Sequence, residues 1–181
     1  MTRKTEPIKT DVRFEGQFLR VLACGHWEFV ERSNASGVVV ILAITDEGHI
    51  LLVEQFRPPV NSAVIEIPAG LAGDIAGEED EAFRAAAARE LEEETGYTAG
   101  TLRLLGSGPS SAGLTNEFLL FFEATNLKRT GPGGGDESES ITVHEIPLTN
   151  LRLWLDSRIR SGVMVDPKIY ATLAMAGRLI E

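Results

Sequence analysis

The sequence predicts an α+β fold, a mixed-sheet sandwich rather than a doubly wound one, and three observations carry that expectation. Short β-branched and aromatic segments recur without a regular strand–helix–strand alternation. The helical patterns are few: one in the middle of the chain and two near its end. The 181 residues are 43% hydrophobic and 24% charged, enough to bury a core without disulfide or metal staples.

Taken in order, residues 1–10 are polar. Val12 to Arg32 reads as short strands, with turns at Gly16 and Gly25-His26. Val38–Thr45 is a run that reads as a fully buried strand; Asp46-Glu47-Gly48 turns tightly, and Ile50–Phe56 returns. Pro58-Pro59 stops regular structure, and Val64–Ile67 is a short strand ending at Pro68-Ala69-Gly70. After a loop rich in Gly and Asp, Asp80 to Thr95 reads as a helix containing Ala85–Ala88 and closed by Gly96. Thr101–Gly106 and Glu117–Ala124 read as strands separated by a loop over 107–116. Gly131–Gly135 reads as the most flexible stretch, followed by a strand, Ile141–Ile146. Helices over Leu148–Ser161 and Pro167–Leu179 finish the chain.

Charge narrows the function. A formal net charge of −10 repels phosphate polymers, so nucleic acid is not an expected partner. A small anionic substrate is compatible only if cations mediate the contact. The lone cysteine, Cys24, forms no internal disulfide and reads as inert. The seven-residue aliphatic run Val38–Ile44 is far short of a membrane span, which needs about 20 residues. No apolar leader follows the N-terminal residues, so the expected location is cytoplasmic, with no membrane partner. His26, His49 and His144 lack metal-ligand spacing and read as turn or strand residues.

The most informative segment is Arg89-Glu-Leu-Glu-Glu-Glu-Thr-Gly-Tyr97. At about 100° per residue, Glu90, Glu93 and Glu94 share one helix face within an arc of about 100°, whereas Glu92 points away. Like charges at these spacings each cost about 0.2–0.5 kcal/mol. The negative end of the helix adds to that cost. A solvated acidic face is one reading. The other is that a hard divalent cation such as Mg²⁺ offsets the repulsion, keeping waters free for substrate phosphates.

The order Arg-Glu-Leu-x-Glu-Glu-x-Gly-Tyr resembles the second half of the Nudix box, matching it at Arg89, Glu90, Leu91, Glu93, Glu94, Gly96 and Tyr97. Glu81 stands the required distance before Arg89, but the opening glycine is displaced: Ile75 occupies its place and Gly70 is the natural candidate. The intervening loop is thus longer by roughly one helical turn, and Glu78 competes with Glu81 for the box role. The resemblance runs over about residues 35–180. Within the family, Glu54-Gln-Phe-Arg57 and Pro68-Ala-Gly resemble the ADP-ribose and nucleoside-diphosphate-sugar pyrophosphatase branch.

The resemblance implies an α/β/α sandwich with a mixed central sheet over residues 35–181, a Nudix hydrolase domain, plus a small N-terminal antiparallel strand region, 1–34, used in dimerisation. It implies a homodimer that hydrolyses a nucleotide-sugar diphosphate with Mg²⁺, or Mn²⁺ as a substitute. Glu90 and Glu94 would be the main metal ligands, Glu93 a ligand or a group behind them, and the Ala69 carbonyl a further ligand. Arg89 would orient the carboxylates through its fork of donors, or form a simple surface pair. A loop glutamate would activate water: Glu139, with Glu137 as the alternative, in a segment the preceding glycines would hinge.

Weaker signals are Arg57, a phosphate clamp or a surface arginine, and Glu117, a ligand of a sugar hydroxyl, a support for the metal ligands or a satisfied loop residue. Trp27 and Phe29 would stack on a base, or serve core or dimer packing. Pro109, 12 residues beyond Tyr97, and the wording Ser-Ala-Gly-Leu-Thr match the ADP-ribose branch only loosely, so GDP-mannose-like sugars stand beside ADP-ribose. Other readings are a silent Nudix domain that senses a ligand and a house-cleaning nucleoside triphosphatase. The retained box glutamates and arginine argue against the first, and the extra N-terminal strands and Glu-rich late loop against the second.

Overall fold

The computed structural model describes residues 9–73, 82–135 and 140–178. An antiparallel meander comes first: β1 (Asp11–Glu15), β2 (Leu19–Cys24) and β3 (Trp27–Arg32) form a three-stranded sheet. The rest of the chain builds two four-stranded mixed sheets. One contains β4 (Gly37–Ala43), β7 (Ala69–Ala72), β8 (Tyr97–Pro109) and β9 (Phe118–Arg129) in the order β7-β4-β9-β8, with β4 and β9 parallel. The other contains β5 (His49–Arg57), β6 (Ser62–Glu66), β10 (Thr142–Pro147) and β11 (Met164–Val165) in the order β10-β5-β6-β11, with β6 and β11 parallel. Three helices pack on them: α1 (Phe83–Thr95), α2 (Leu151–Arg160) and α3 (Lys168–Met175).

The side-chain alternation of β4 explains the layering. Val39, Ile41 and Ala43 belong to one buried cluster with Ala86, Ala87 and Leu91 of α1. Val40 and Leu42 belong to a second, with Leu151 and Leu155 of α2 and Ile169 and Leu173 of α3. A strand buried on both faces reads as a continuous apolar run, as Val38–Thr45 does. The alanine run has a use here: Ala86 and Ala87 are wholly buried and let α1 lie close to the sheet.

Several expectations are corrected. The strands on either side of Asp46-Glu47-Gly48 share only the bridge Ile44–Ile50, then diverge into different sheets. The expected α+β sandwich is thus built on two four-stranded mixed sheets with the three helices packed on them. The segment 107–116 is not all loop. β8 runs through a register shift at Leu104/Gly106 to Pro109 opposite Phe118, because the apolar strand β9 offers it ladder partners that outweigh its Gly/Ser composition. The first C-terminal helix opens with a 3₁₀ turn over Leu148–Asn150, and the second ends at Met175, short of the expected Leu179, which lies outside the described residues.

The two sheets are also joined by polar contact. The Tyr97 hydroxyl, on β8, donates to Glu145 on β10 at 3.0 Å, and the Arg129 guanidinium lies 5.8 Å from the Tyr97 ring centre. Burial, reinforced by the neighbouring Glu145 carboxylate, pushes the phenol above its ordinary value of 10.0. The stabilising effect of that proton is full below pH 10.0 and fades as pH rises through the folded-state value. Tyr97→Phe is expected to destabilise the chain at pH 7 by about 1 kcal/mol. Melting curves recorded from pH 7 upward should show the wild-type decline above pH 10 flattened in the variant.

Candidate active site

The acid run sits on the last two turns of α1, and its neighbour is the start of β7. Position 70 faces the helix so closely that a Cβ there would lie 1.8 Å from the Glu90 carboxyl carbon. Gly70 is thus the residue that makes room for the Glu90 carboxylate against the sheet. No positive φ is involved; the requirement is space alone.

Arg89 organises the acids. Its Nη1 donates to Glu90 at 2.9 Å and to Glu93 at 3.1 Å, while its Nη2 donates to the Leu71 carbonyl of β7 at 2.9 Å. One guanidinium therefore ties two carboxylates to the strand that carries Gly70, a bifurcated job that a lysine could not reproduce. Its side chain is only 21% exposed, which strengthens these pairs relative to a surface ion pair. Glu94 turns elsewhere. It is 3% exposed and accepts from the Ala69 N–H at 3.1 Å, fixing the backbone whose carbonyl is the expected further ligand.

Glu90, Glu93 and Ala69 border a cleft of about 690 Å³, whose walls also include Gly70 and Arg89. Four cationic side chains reach it from different elements: Arg32 of β3, Arg57 of β5, Arg89 of α1 and Lys168 of α3. In a chain of net charge −10, that local concentration of cations suits an anionic ligand. Each has a carboxylate partner: Arg32 donates to Glu117 at 3.2 Å, Arg57 to Glu66 at 2.6 Å, and the Lys168 ammonium pairs with Asp166. Glu117 also borders a side chamber of about 220 Å³ with Arg32, Glu31 and Asn116.

Of the residues singled out in the sequence, Arg57, Ala69, Arg89, Glu90, Glu93 and Glu117 come together at the cleft, and Glu94 lies directly behind it. Trp27 does not line it; that ring is 52% exposed on the N-terminal sheet, edge-on to His26. Glu137 and Glu139 lie outside the described residues, as do Glu78 and Glu81. Sequence reasoning missed Arg32, Lys168 and Asp166. The available signal was Asp166-Pro-Lys168 at the mouth of a helix, and it is invisible until β11 brings that turn beside β6.

The donor set fits a hard divalent cation. It consists of oxygens only, and Gly70 keeps a space that any side chain would fill. Among the described residues, no three carboxylate, imidazole or thiol side chains surround one point. Glu90 and Glu93 lean on Arg89 and Glu94 on Ala69, so a bound ion would also take backbone, water or substrate oxygens.

The chain is similar to known proteins over most of its length. The chain is 41% identical over 123 residues to the ADP-ribose pyrophosphatase of Bacillus subtilis (strain 168), spanning 67% of this chain and 64% of that protein. It is 35% identical over 148 residues to the methanol dehydrogenase activator of Bacillus methanolicus, spanning 78% and 77% respectively. A solved structure described as an ADP compounds hydrolase superposes with a TM-score of 0.68 over 93% of this chain and 90% of that one; at 20% identity, that likeness concerns the fold alone. The NUDIX domain family matches residues 34–162, which include α1, β7 and most of the residues that line the cleft, and the chain belongs to the Nudix family.

Proposed function

We propose that this chain is a Mg²⁺-dependent pyrophosphohydrolase that cleaves ADP-ribose, or a related nucleoside-diphosphate sugar, to a nucleoside monophosphate and a sugar phosphate. The observation that carries the reading is the Arg89 fork, which holds Glu90 and Glu93 at the wall of a cation-lined cleft. The name of the B. subtilis relative supports ADP-ribose as the first substrate to try.

On this reading Glu90, Glu94, Glu93 and the Ala69 carbonyl hold the cation. When bound, it supplies charge neutralisation at the phosphoryl oxygens and makes water more acidic. The chain's own residues do the rest. Arg57 and Arg32 face the diphosphate, orienting it and offsetting the charge that shifts onto the leaving oxygen as water adds to phosphorus and the P–O bond breaks. Arg89 keeps the carboxylates in place without touching substrate. Glu117, beside Arg32, meets a sugar hydroxyl. Glu139 takes the proton of the attacking water, Glu137 being the alternative. Glu139→Gln is expected to lower kcat about a hundredfold or more with KM little changed; steady-state kinetics that leave kcat intact would remove Glu139 from the mechanism.

We further propose that the N-terminal region, 1–34, pairs two copies into a cytoplasmic homodimer. The support is the apolar surface it presents: Val12, Phe14, Phe18, Leu19 and Trp27 are between 44% and 63% exposed. No helix among the described residues is long and apolar enough to cross a membrane.

The experiment for the function is product identification. ADP-ribose, GDP-mannose, UDP-glucose, a dinucleoside polyphosphate and a deoxynucleoside triphosphate are incubated with the protein at fixed Mg²⁺, with and without EDTA. Monophosphate release from a nucleotide sugar, abolished by EDTA, is expected. Binding without turnover would favour a sensor, and preference for the triphosphate would favour a house-cleaning enzyme.

A further inference from the structure

The glycine run after β9 is not the loose hinge that its composition suggests. It is strapped across the C-terminal end of α1. The N–H groups of Gly134 and Gly135 donate to the carbonyls of Glu94 and Glu93 at 2.9 and 3.0 Å, and those of Thr130 and Gly131 donate to Gly96 at 2.8 and 3.1 Å. The Thr130 hydroxyl adds a bond to the Glu92 carboxylate at 3.0 Å. Carbonyls that a helix end leaves without partners are thus met at the two residues whose side chains belong to the site.

Only glycine satisfies this arrangement. Gly133, Gly134 and Gly135 have φ of 69°, 115° and 81°. A Cβ on Gly133 would lie 2.4 Å from the Thr95 carbonyl carbon and 2.6 Å from the Glu94 oxygen. A Cβ on Gly96 would lie 2.3 Å from the Gly131 oxygen. Helix and strap interlock through two missing side chains. The donors also supply partial positive charge where three carboxylates crowd the negative end of a helix.

We propose that the Gly133–Gly135 part of this strap is a positioning element of the cation site: the Gly134 and Gly135 N–H groups clamp the last turn of α1 and hold Glu93 and Glu94 where a divalent cation requires them. The inference rests on the reading that these acids hold the cation. It gives the strap a role in ion affinity, whereas a plain helix cap would affect stability alone.

The test is Mn²⁺ binding to the substrate-free protein, followed by the EPR signal of the free ion, with folding monitored by circular dichroism. Gly133→Ala introduces both the clash and the strained φ. Gly134→Ala is milder, since its nearest neighbour would be the Ile141 oxygen at 3.8 Å and only φ opposes it. Gly131→Ala keeps its N–H and meets nothing within 4 Å, so it serves as the control. In folded protein, Gly133→Ala and Gly134→Ala are expected to weaken Mn²⁺ binding by about tenfold, the usual effect of disturbing what holds a ligand, while Gly131→Ala binds as wild type. If Gly133→Ala does not fold, Gly134→Ala decides. Wild-type affinity in the folded strap variants, with or without a lowered melting temperature, overturns the strap's role. If Glu90→Gln binds as tightly as wild type, or wild type binds no Mn²⁺, the cation reading itself fails and the strap inference falls with it.

Discussion

Glu90→Gln is expected to lower kcat by at least about a hundredfold at a Mg²⁺ concentration that saturates the wild type. The amide has nearly the same shape as the carboxylate, so the packing around Gly70 survives and stability changes little. What is lost is one negative charge and one strong oxygen donor in a position 12% exposed, where no mobile side chain can replace it. Arg89 would still reach Glu93 and the Leu71 carbonyl, so the arginine remains anchored and the loss belongs to position 90. A Mg²⁺ titration of initial rate checks this. The variant should need more metal and still plateau far below wild type.

Gly70→Ala carries the second large effect, and it strikes the same atom from the opposite side. The alanine methyl would overlap the Glu90 carboxyl group, at 1.8 Å from its carbon and 2.2 Å from both oxygens. Position 70 has no positive φ, so β7 can accept alanine in its backbone. The strain falls on the Glu90 side chain, which must swing away. A displacement of about 1 Å in a catalytic constellation costs on the order of a hundredfold in rate. A double-mutant cycle separates this from general damage. In a Glu90→Gln background, Gly70→Ala should cost much less than in wild type, because the group it disturbs has already lost its charge. Equal costs in both backgrounds would mean that Gly70 acts through something other than Glu90.

The acid face of α1 was legible in the sequence because a helix repeats by local geometry: Arg89, Glu90, Glu93 and Glu94 stand near one another whatever the rest of the chain does. The two-faced burial of β4 was legible for the same kind of reason, since an unbroken apolar run has no solvent side. Long-range pairing was less accessible. Nothing local says that Gly-Ser residues after Leu104 extend β8, because the partner is β9 and the bonds form only on assembly. Arg32 and Lys168 were missed because they come from β3 and α3, more than a hundred residues apart, and are adjacent only at the cleft. Gly131–Gly135 was misread for a more general reason. Composition reports the conformational freedom of an unfolded segment, whereas here that freedom is used to reach positive φ values in one fixed conformation against α1.

The central claim is that the α1 carboxylates, held by Arg89 and given room by Gly70, grip a divalent cation. Crystals soaked in Mn²⁺ test it most directly, through the anomalous signal of the ion. The account predicts a peak within coordination distance of the Glu90 carboxylate, absent from Glu90→Gln crystals soaked in the same way. An ion bound elsewhere in the cleft, with Glu90 uninvolved, would contradict it.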